Sequence, residues 1–103
     1  MKSSNNREVF ELRRQSDDLV YTFQMAQTAD GALGYRRSDG DHWIIRHQEH
    51  GWVAWDYETE TISGRPWEVL PNMQADFPPE GVWVSRKGSK SYVYSLVYVK
   101  AQQ

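Results

Sequence analysis

The sequence predicts a mainly β, antiparallel fold: a strongly bent meander or incomplete barrel of about six to eight strands. One observation is the C-terminal run Tyr92–Val99, where tyrosines occupy even positions and valines odd positions, the period of two typical of a strand. Another is that short apolar or alternating runs recur between turn residues at a spacing of ~8–12 residues. In addition, no window of eleven or more residues keeps the apolar spacing of a helix.

The N-terminal half of the chain predicts successive hairpins. The run Glu8–Arg14 should form a strand with Phe10 and Leu12 inward, and Leu19–Met25 should return beside it, with Leu19, Tyr21, Phe23 and Met25 sharing one face. Polar residues 15–18 form the turn between them. Further strands are expected at Leu33–Arg37, Trp43–Arg46 and Trp52–Tyr57, separated by turns at 38–41 and 48–51.

The last hairpin joins Val82–Val84 to Tyr92–Val99 through the polar interval Arg86–Lys90. Because β-branched residues pack well on a buried pleated face, we expect the valines of the final strand to face the core beside Leu19 or Phe23. These valines are Val93, Val97 and Val99. The tyrosines of that strand should then occupy the opposite face, where they are available to a partner.

All four prolines fall between Gly64 and Gly81. Proline fixes φ and removes a backbone donor, so this segment is predicted to be an ordered loop. Its apolar content is too high for a solvated linker, so the loop should pack over one side of the sheet; these residues are Trp67, Val69, Leu70, Met73 and Phe77. A single helical turn is expected around Pro71–Asp76.

The length of 103 residues predicts one domain. We expect it to span residues 7–100, between a disordered tail at 1–6 and a frayed end at 101–103. Twelve basic against fourteen acidic residues give a net charge of −2, which does not favour nucleic acid as a partner. The absence of Cys is compatible with a reducing compartment. With no long apolar run, the expected location is the cytoplasm, away from a membrane.

No catalytic motif is present, so neither catalytic residues nor a cofactor is assigned. His42, His47 and His50 lie close together in the sequence, but His42 and His47 would face opposite sides of a strand, so no metal site is expected. His42 and Asp56 remain acid–base candidates. Asp56, Glu58 and Glu60 alternate, and we interpret them as a solvated acidic row on a strand.

Five Trp and six Tyr in so short a chain leave two classes of function open. The favoured class is an interaction module that forms a homodimer, or binds another protein, through an aromatic sheet surface. The alternative is a pocket for a small molecule, lined by Trp and Tyr, in a binding protein or an enzyme. The candidate surface residues for either class are Tyr92, Tyr94, Tyr98, Trp83, Trp55 and Trp67.

Three C-terminal segments resemble small uncharacterised proteins encoded on mobile integron gene cassettes. They are Gly64-Arg65-Pro66-Trp67, Pro78-Pro79-Glu80-Gly81-Val82-Trp83-Val84-Ser85 and Lys90-Ser91-Tyr92-Val93-Tyr94. The resemblance implies a compact, single-domain, cytoplasmic bacterial accessory protein of a kind that frequently self-associates. It includes no catalytic motif and assigns a role to no residue.

Overall fold

Eight strands make up most of the protein. The computed structural model describes residues 7–99, except for the side chain of Lys87. The tails predicted at 1–6 and 101–103 lie outside the described residues. The strands are β1 (Val9–Arg14), β2 (Val20–Gln27), β3 (Leu33–Arg37), β4 (Trp43–His47), β5 (Gly51–Asp56), β6 (Thr61–Pro66), β7 (Gly81–Lys87) and β8 (Lys90–Val99).

The strands form a closed barrel in chain order. Each strand pairs antiparallel with the next, and β8 pairs with β1, where Leu96 lies opposite Leu12. The predicted mainly β, antiparallel fold is therefore confirmed, and the ring of strands is complete. Closure gives the backbone groups of β1 and β8 partners that an open sheet edge would leave unpaired.

Aromatic rings fill the interior of the barrel. Phe10 stacks on Phe23 with ring centroids 5.2 Å apart, and the Tyr35 ring lies 4.9 Å from Phe10 and 5.9 Å from Trp52. An eight-strand barrel has an interior just wide enough for side chains, so these rings serve as the core. The buried cluster comprises Phe10, Leu12, Phe23, Tyr35, Ile44, Trp52, Trp83, Tyr94 and Leu96.

Strand β8 turns its faces the opposite way from the prediction. Tyr94 and Leu96 are buried, Tyr92 and Tyr98 pack against the core, and Val93 is 39% exposed. The prediction that Val93, Val97 and Val99 face the core was therefore wrong. Valine suits either face of a strand, whereas only large side chains reach far enough to fill the width of the barrel.

The predicted apolar face of β2 is buried only in part, and the acidic row and the start of the proline-rich loop need correction. Leu19 and Met25 are exposed although Phe23 is buried, because Leu19 precedes β2 and Met25 lies towards its far end. Glu58 and Glu60 occupy the turn after β5, so the acidic row does not lie on a strand. Strand β6 continues to Pro66, so the first residues of the predicted proline-rich loop, from Gly64 to Pro66, belong to a strand.

Arginine side chains cover the tyrosines at one end of the barrel. The guanidinium of Arg14 lies 4.8 Å from the ring centre of Tyr92, and that of Arg37 lies 4.2 Å from the ring centre of Tyr21. Both arginine side chains are only 19% exposed, and each pairs with a more exposed aspartate of the adjacent turn. Cation–π contacts of this kind are strengthened by partial removal from water.

The other end is closed by residues 67–80, which we call the covering segment. The Tyr98 hydroxyl donates to the carbonyl of Pro78, and the indole N–H of Trp83 donates to the carbonyl of Pro79 at 2.9 Å. Pro78 itself is fully buried. The predicted ordered loop thus packs on the barrel. Its predicted helical turn is present as a 3-10 turn at Pro71–Met73.

Leu96 faces the core and Val93 does not, so truncating these two residues of β8 should lower the free energy of unfolding by different amounts. Leu96→Ala should lower the free energy of unfolding by about 2–5 kcal/mol, because it leaves a cavity in a closed core. Val93→Ala should cost less than about 1 kcal/mol, because Val93 is already partly in water. Urea unfolding of both variants measures the difference. Equal losses, or a larger loss at Val93, would contradict the assignment of faces.

Candidate functional site

Four of the six aromatic site candidates belong to the barrel interior. Trp83 and Tyr94 are buried, and Tyr92 and Tyr98 pack against the core from its two ends. Burial raises the pKa of Tyr94, which agrees with a phenol held away from water. In the single chain these four rings form or contact the core. Their predicted role in self-association remains a prediction.

The other two aromatic candidates lie outside the interior. Trp55 is half-buried, and its ring centre lies 5.5 Å from that of His47. Trp52, three residues earlier, is 1% exposed and belongs to the core, as expected for two residues on opposite faces of one strand. Trp67 is 65% exposed at the start of the covering segment. Only Trp67 therefore offers most of its side chain to a partner.

The covering segment is fixed to strand β5 by Gln74. The side-chain oxygen of Gln74 accepts the Trp52 amide at 2.8 Å, and its side-chain nitrogen donates to the Val69 carbonyl at 3.2 Å. Gly51 makes room for this contact: a Cβ there would lie 2.4 Å from the Gln74 oxygen, and its φ of +74° favours glycine. Together with the bonds from Trp83 and Tyr98, this contact holds the segment in its middle and at its C-terminal end.

Three large apolar side chains project from this anchored segment. Trp67, Leu70 and Met73 are 65%, 60% and 66% exposed, and we call them the apolar patch. The Met73 amide donates to the Leu70 carbonyl at 2.8 Å, and in a 3-10 turn residues three apart lie on the same side. Leu70 and Met73 therefore project together. Large apolar side chains that stay exposed on an ordered segment are candidates for an interaction surface.

Charged side chains flank the apolar patch. Arg65 and Glu68 stand on either side of Trp67 in the sequence, and both are exposed. Neither has an ion-pair partner among the described side chains. An apolar centre with a polar edge is the usual anatomy of a protein interface.

A cleft of about 340 Å³ lies beside the covering segment. The β2–β3 connection contributes Asp30, strand β5 contributes Trp52, the turn after β5 contributes Tyr57, and the covering segment contributes Asp76. The volume is within the range of small-molecule sites, roughly 300–1,000 Å³. This cleft combines rings and polar groups, as the pocket alternative requires.

His42 and Asp56, the acid–base candidates, lie close enough to interact electrostatically, and the pKa of Asp56 is lowered. The main causes are the backbone amides of Thr59 and Glu58, which donate to the Asp56 carboxylate at 3.2 and 2.9 Å. The carboxylate thus closes the turn after β5. A lowered pKa also weakens it as a general base near neutral pH.

His47, Glu49 and His50 form the one group among the described residues that could hold a metal ion, with potential ligand atoms within 4.8 Å of one another. The Nδ1 atom of His47 already accepts the backbone amides of Glu49 and His50, at 3.1 and 3.3 Å. In a neutral imidazole the proton then resides on Nε2, and a protonated nitrogen cannot bind a metal. This geometry favours a role for His47 in the turn.

Comparison with protein-family models finds no matching family, and comparisons with curated proteins and with solved structures find no matching protein. Among the described residues, no helix has the length and apolar character needed to cross a bilayer.

Sequence reasoning identified Trp67 but not Leu70 and Met73 as surface residues. All three were expected to pack because the segment is rich in apolar groups. For Leu70 and Met73 the spacing of three residues around Pro71 was the available signal, since a 3-10 turn places residues three apart on one side. The cleft had no comparable signal, because its walls come from separate turns and strands.

The tautomer of His47 leads to a prediction for zinc. One equivalent of zinc added to untagged protein should leave the melting temperature unchanged, because ligation by His47 requires loss of its turn hydrogen bonds or of the Nε2 proton. Differential scanning calorimetry measures this, with His50→Ala as the comparison. A rise in melting temperature with zinc that His50→Ala abolishes would show that the cluster binds metal.

Proposed function

We propose that this protein is an interaction module that forms a homodimer through the apolar patch. The observation that carries the proposal is the exposure of Trp67, Leu70 and Met73 on a segment that Gln74 and the barrel core hold in place. A preformed apolar surface loses little conformational entropy on binding, which favours association.

A second copy of the chain is the partner that the surrounding charges suit. In a two-fold interface the same patch meets itself, so a residue on one side of the axis faces a different residue of the other copy. Arg65 and Glu68 have opposite charges and flank Trp67. A two-fold axis near Trp67 can therefore place Arg65 of each copy opposite Glu68 of the other.

The proposed surface differs from the one expected from the sequence. Self-association was predicted through Tyr92, Tyr94 and Tyr98, whose rings are directed to the core. The resemblance to integron cassette proteins also implies self-association, without indicating a surface. We further propose a cytoplasmic location, with which the absence of Cys is compatible.

Sedimentation velocity across a concentration series, up to the solubility limit, tests the dimer. We expect a monomer–dimer equilibrium in which Leu70→Ser raises the dissociation constant at least about tenfold, as truncation of a central interface residue does. Leu19→Ser is the matched control, since Leu19 is also exposed but lies on the β1–β2 connection. It should leave the equilibrium unchanged.

Charge reversal tests the two-fold arrangement. Arg65→Glu places like charges together and should weaken the dimer, whereas the double variant Arg65→Glu, Glu68→Arg should restore it. A monomer at every concentration would refute the proposal. If Leu70→Ser and Leu19→Ser weakened the dimer equally, or if neither weakened it, the interface would lie elsewhere.

A further inference from the structure

The cleft beside the covering segment contains a carboxylate without a cationic partner. Asp30 forms no ion pair with any described side chain, although it lies in the wall of the cleft. The hydroxyl of Thr28 donates to its carboxylate. This bond, followed by that from the Ala32 amide, holds the pKa of Asp30 below its ordinary value. Asp30 is therefore a fixed negative charge at neutral pH.

The other two charges in the cleft largely cancel. Arg46 and Asp76 pair with a nitrogen–oxygen distance of 3.8 Å, and both side chains are more than half exposed. Among the described side chains, no other arginine, lysine or histidine lines the cleft. The net charge of the described lining is thus −1, with the excess at Asp30. Such a site attracts cations and repels anions.

Aromatic side chains line the same cleft. Tyr57 is partly exposed, and its ring lies edge-on to Trp43 with centroids 6.1 Å apart. Burial, followed by the negative charge of Asp30, raises the pKa of Tyr57, so its hydroxyl lies within the field of that carboxylate. An exposed aromatic ring and a carboxylate in one cleft are a combination that can bind organic ammonium groups.

Trp52 provides an observation that does not depend on charge. Trp52 is one of the residues around the cleft, although it is only 1% exposed, and its indole nitrogen is the one buried side-chain polar atom among the described residues without a hydrogen-bond partner. Buried polar groups are nearly always paired, and an unpaired one costs about 1–3 kcal/mol. An unpaired group of this kind needs a specific explanation, which can be local strain, a functional role or a bound water or ion.

The geometry points to a binding site in this cleft for a small organic ammonium compound. Asp30 pairs with the charge, and the exposed ring of Tyr57 contacts the apolar substituents around the nitrogen. Leu33 and Ile45 complete an apolar wall. Trp67, Leu70 and Met73 do not line the cleft, so the proposed binding does not require the dimer.

Choline is a suitable probe because its trimethylammonium group combines charge with apolar surface. Heteronuclear NMR of the Leu70→Ser variant, which removes the proposed dimer contact, follows the amide and indole N–H signals during titration. We expect saturable shifts at the Trp52 indole and at the Thr28 and Asp30 amides, weakening as salt is added. The uncharged analogue, in which a tert-butyl group replaces trimethylammonium, should bind at least about fivefold more weakly.

Variants separate the roles of charge and ring. Asp30→Asn keeps an oxygen that can accept from Thr28 and should weaken choline binding at least about fivefold, whereas Asp18→Asn should have no effect. Asp18 is a matched control because it lies on another turn, outside the cleft, with a φ of +62° that asparagine tolerates. Tyr57→Leu should weaken binding about as much as Asp30→Asn, and Tyr57→Phe, which keeps the ring, should not.

Three results would overturn the inference. The absence of saturable shifts with choline would show that the cleft binds no ammonium group. Equal binding of choline and its uncharged analogue would show that the cleft selects apolar volume alone. Equal affinities of the Asp30→Asn and Asp18→Asn variants would exclude Asp30 as the group that pairs with the cation.

Discussion

The need to fill a closed eight-strand barrel with side chains determines most of this structure. The strands are only five to ten residues long, so a few interior positions must occupy all the space inside the ring. Phe10, Tyr35 and Trp52 provide that volume, and contacts between their rings link β1, β3 and β5 across the interior. Valines of β8 then face outward because the interior positions are taken by larger groups.

The polar atoms of the interior rings connect this core to the covering segment. Trp83 and Tyr98 each carry one hydrogen-bond donor, and the carbonyls of Pro79 and Pro78 accept them. Proline has no backbone donor, so its carbonyl makes the contact without leaving an amide unpaired. The core thereby holds the segment that displays the apolar patch, and the proposed binding surface depends on interior packing far from any partner.

The sequence was sufficient for the strands and most turns, because period-two runs and turn residues are local signals. It correctly placed Phe10 and Leu12 inside. It did not determine the faces of β8, since alternation of Tyr and Val defines two faces without indicating which is buried. The deciding fact was closure of the barrel, a contact between β1 and β8 that no local pattern encodes.

The candidate sites were predictable only where one segment forms them. Trp67 was identified from its type and its proline-rich surroundings, and Leu70 and Met73 follow from the spacing of a 3-10 turn. The cleft joins Asp30, Tyr57 and Asp76 from three different connections, so its existence depends on the register of the barrel. Likewise, His47 resembles a metal ligand in sequence until the backbone amides bound to its Nδ1 are known.

The pKa of Tyr35 tests the closed aromatic interior most directly. Tyr35 is fully buried and donates to the Arg7 carbonyl at 2.6 Å, and burial raises its pKa from 10.0 to about 12. The unfolded chain loses the Tyr35 proton at a lower pH than the folded chain does. Tyr35 therefore stabilises the fold fully below pH 10, and this stabilisation declines as the pH rises towards 12. NMR titration of ring-labelled tyrosine should show that Tyr35 ionises near pH 12 or only on unfolding. Ionisation of Tyr35 near pH 10 in the folded protein would contradict a barrel interior that excludes water.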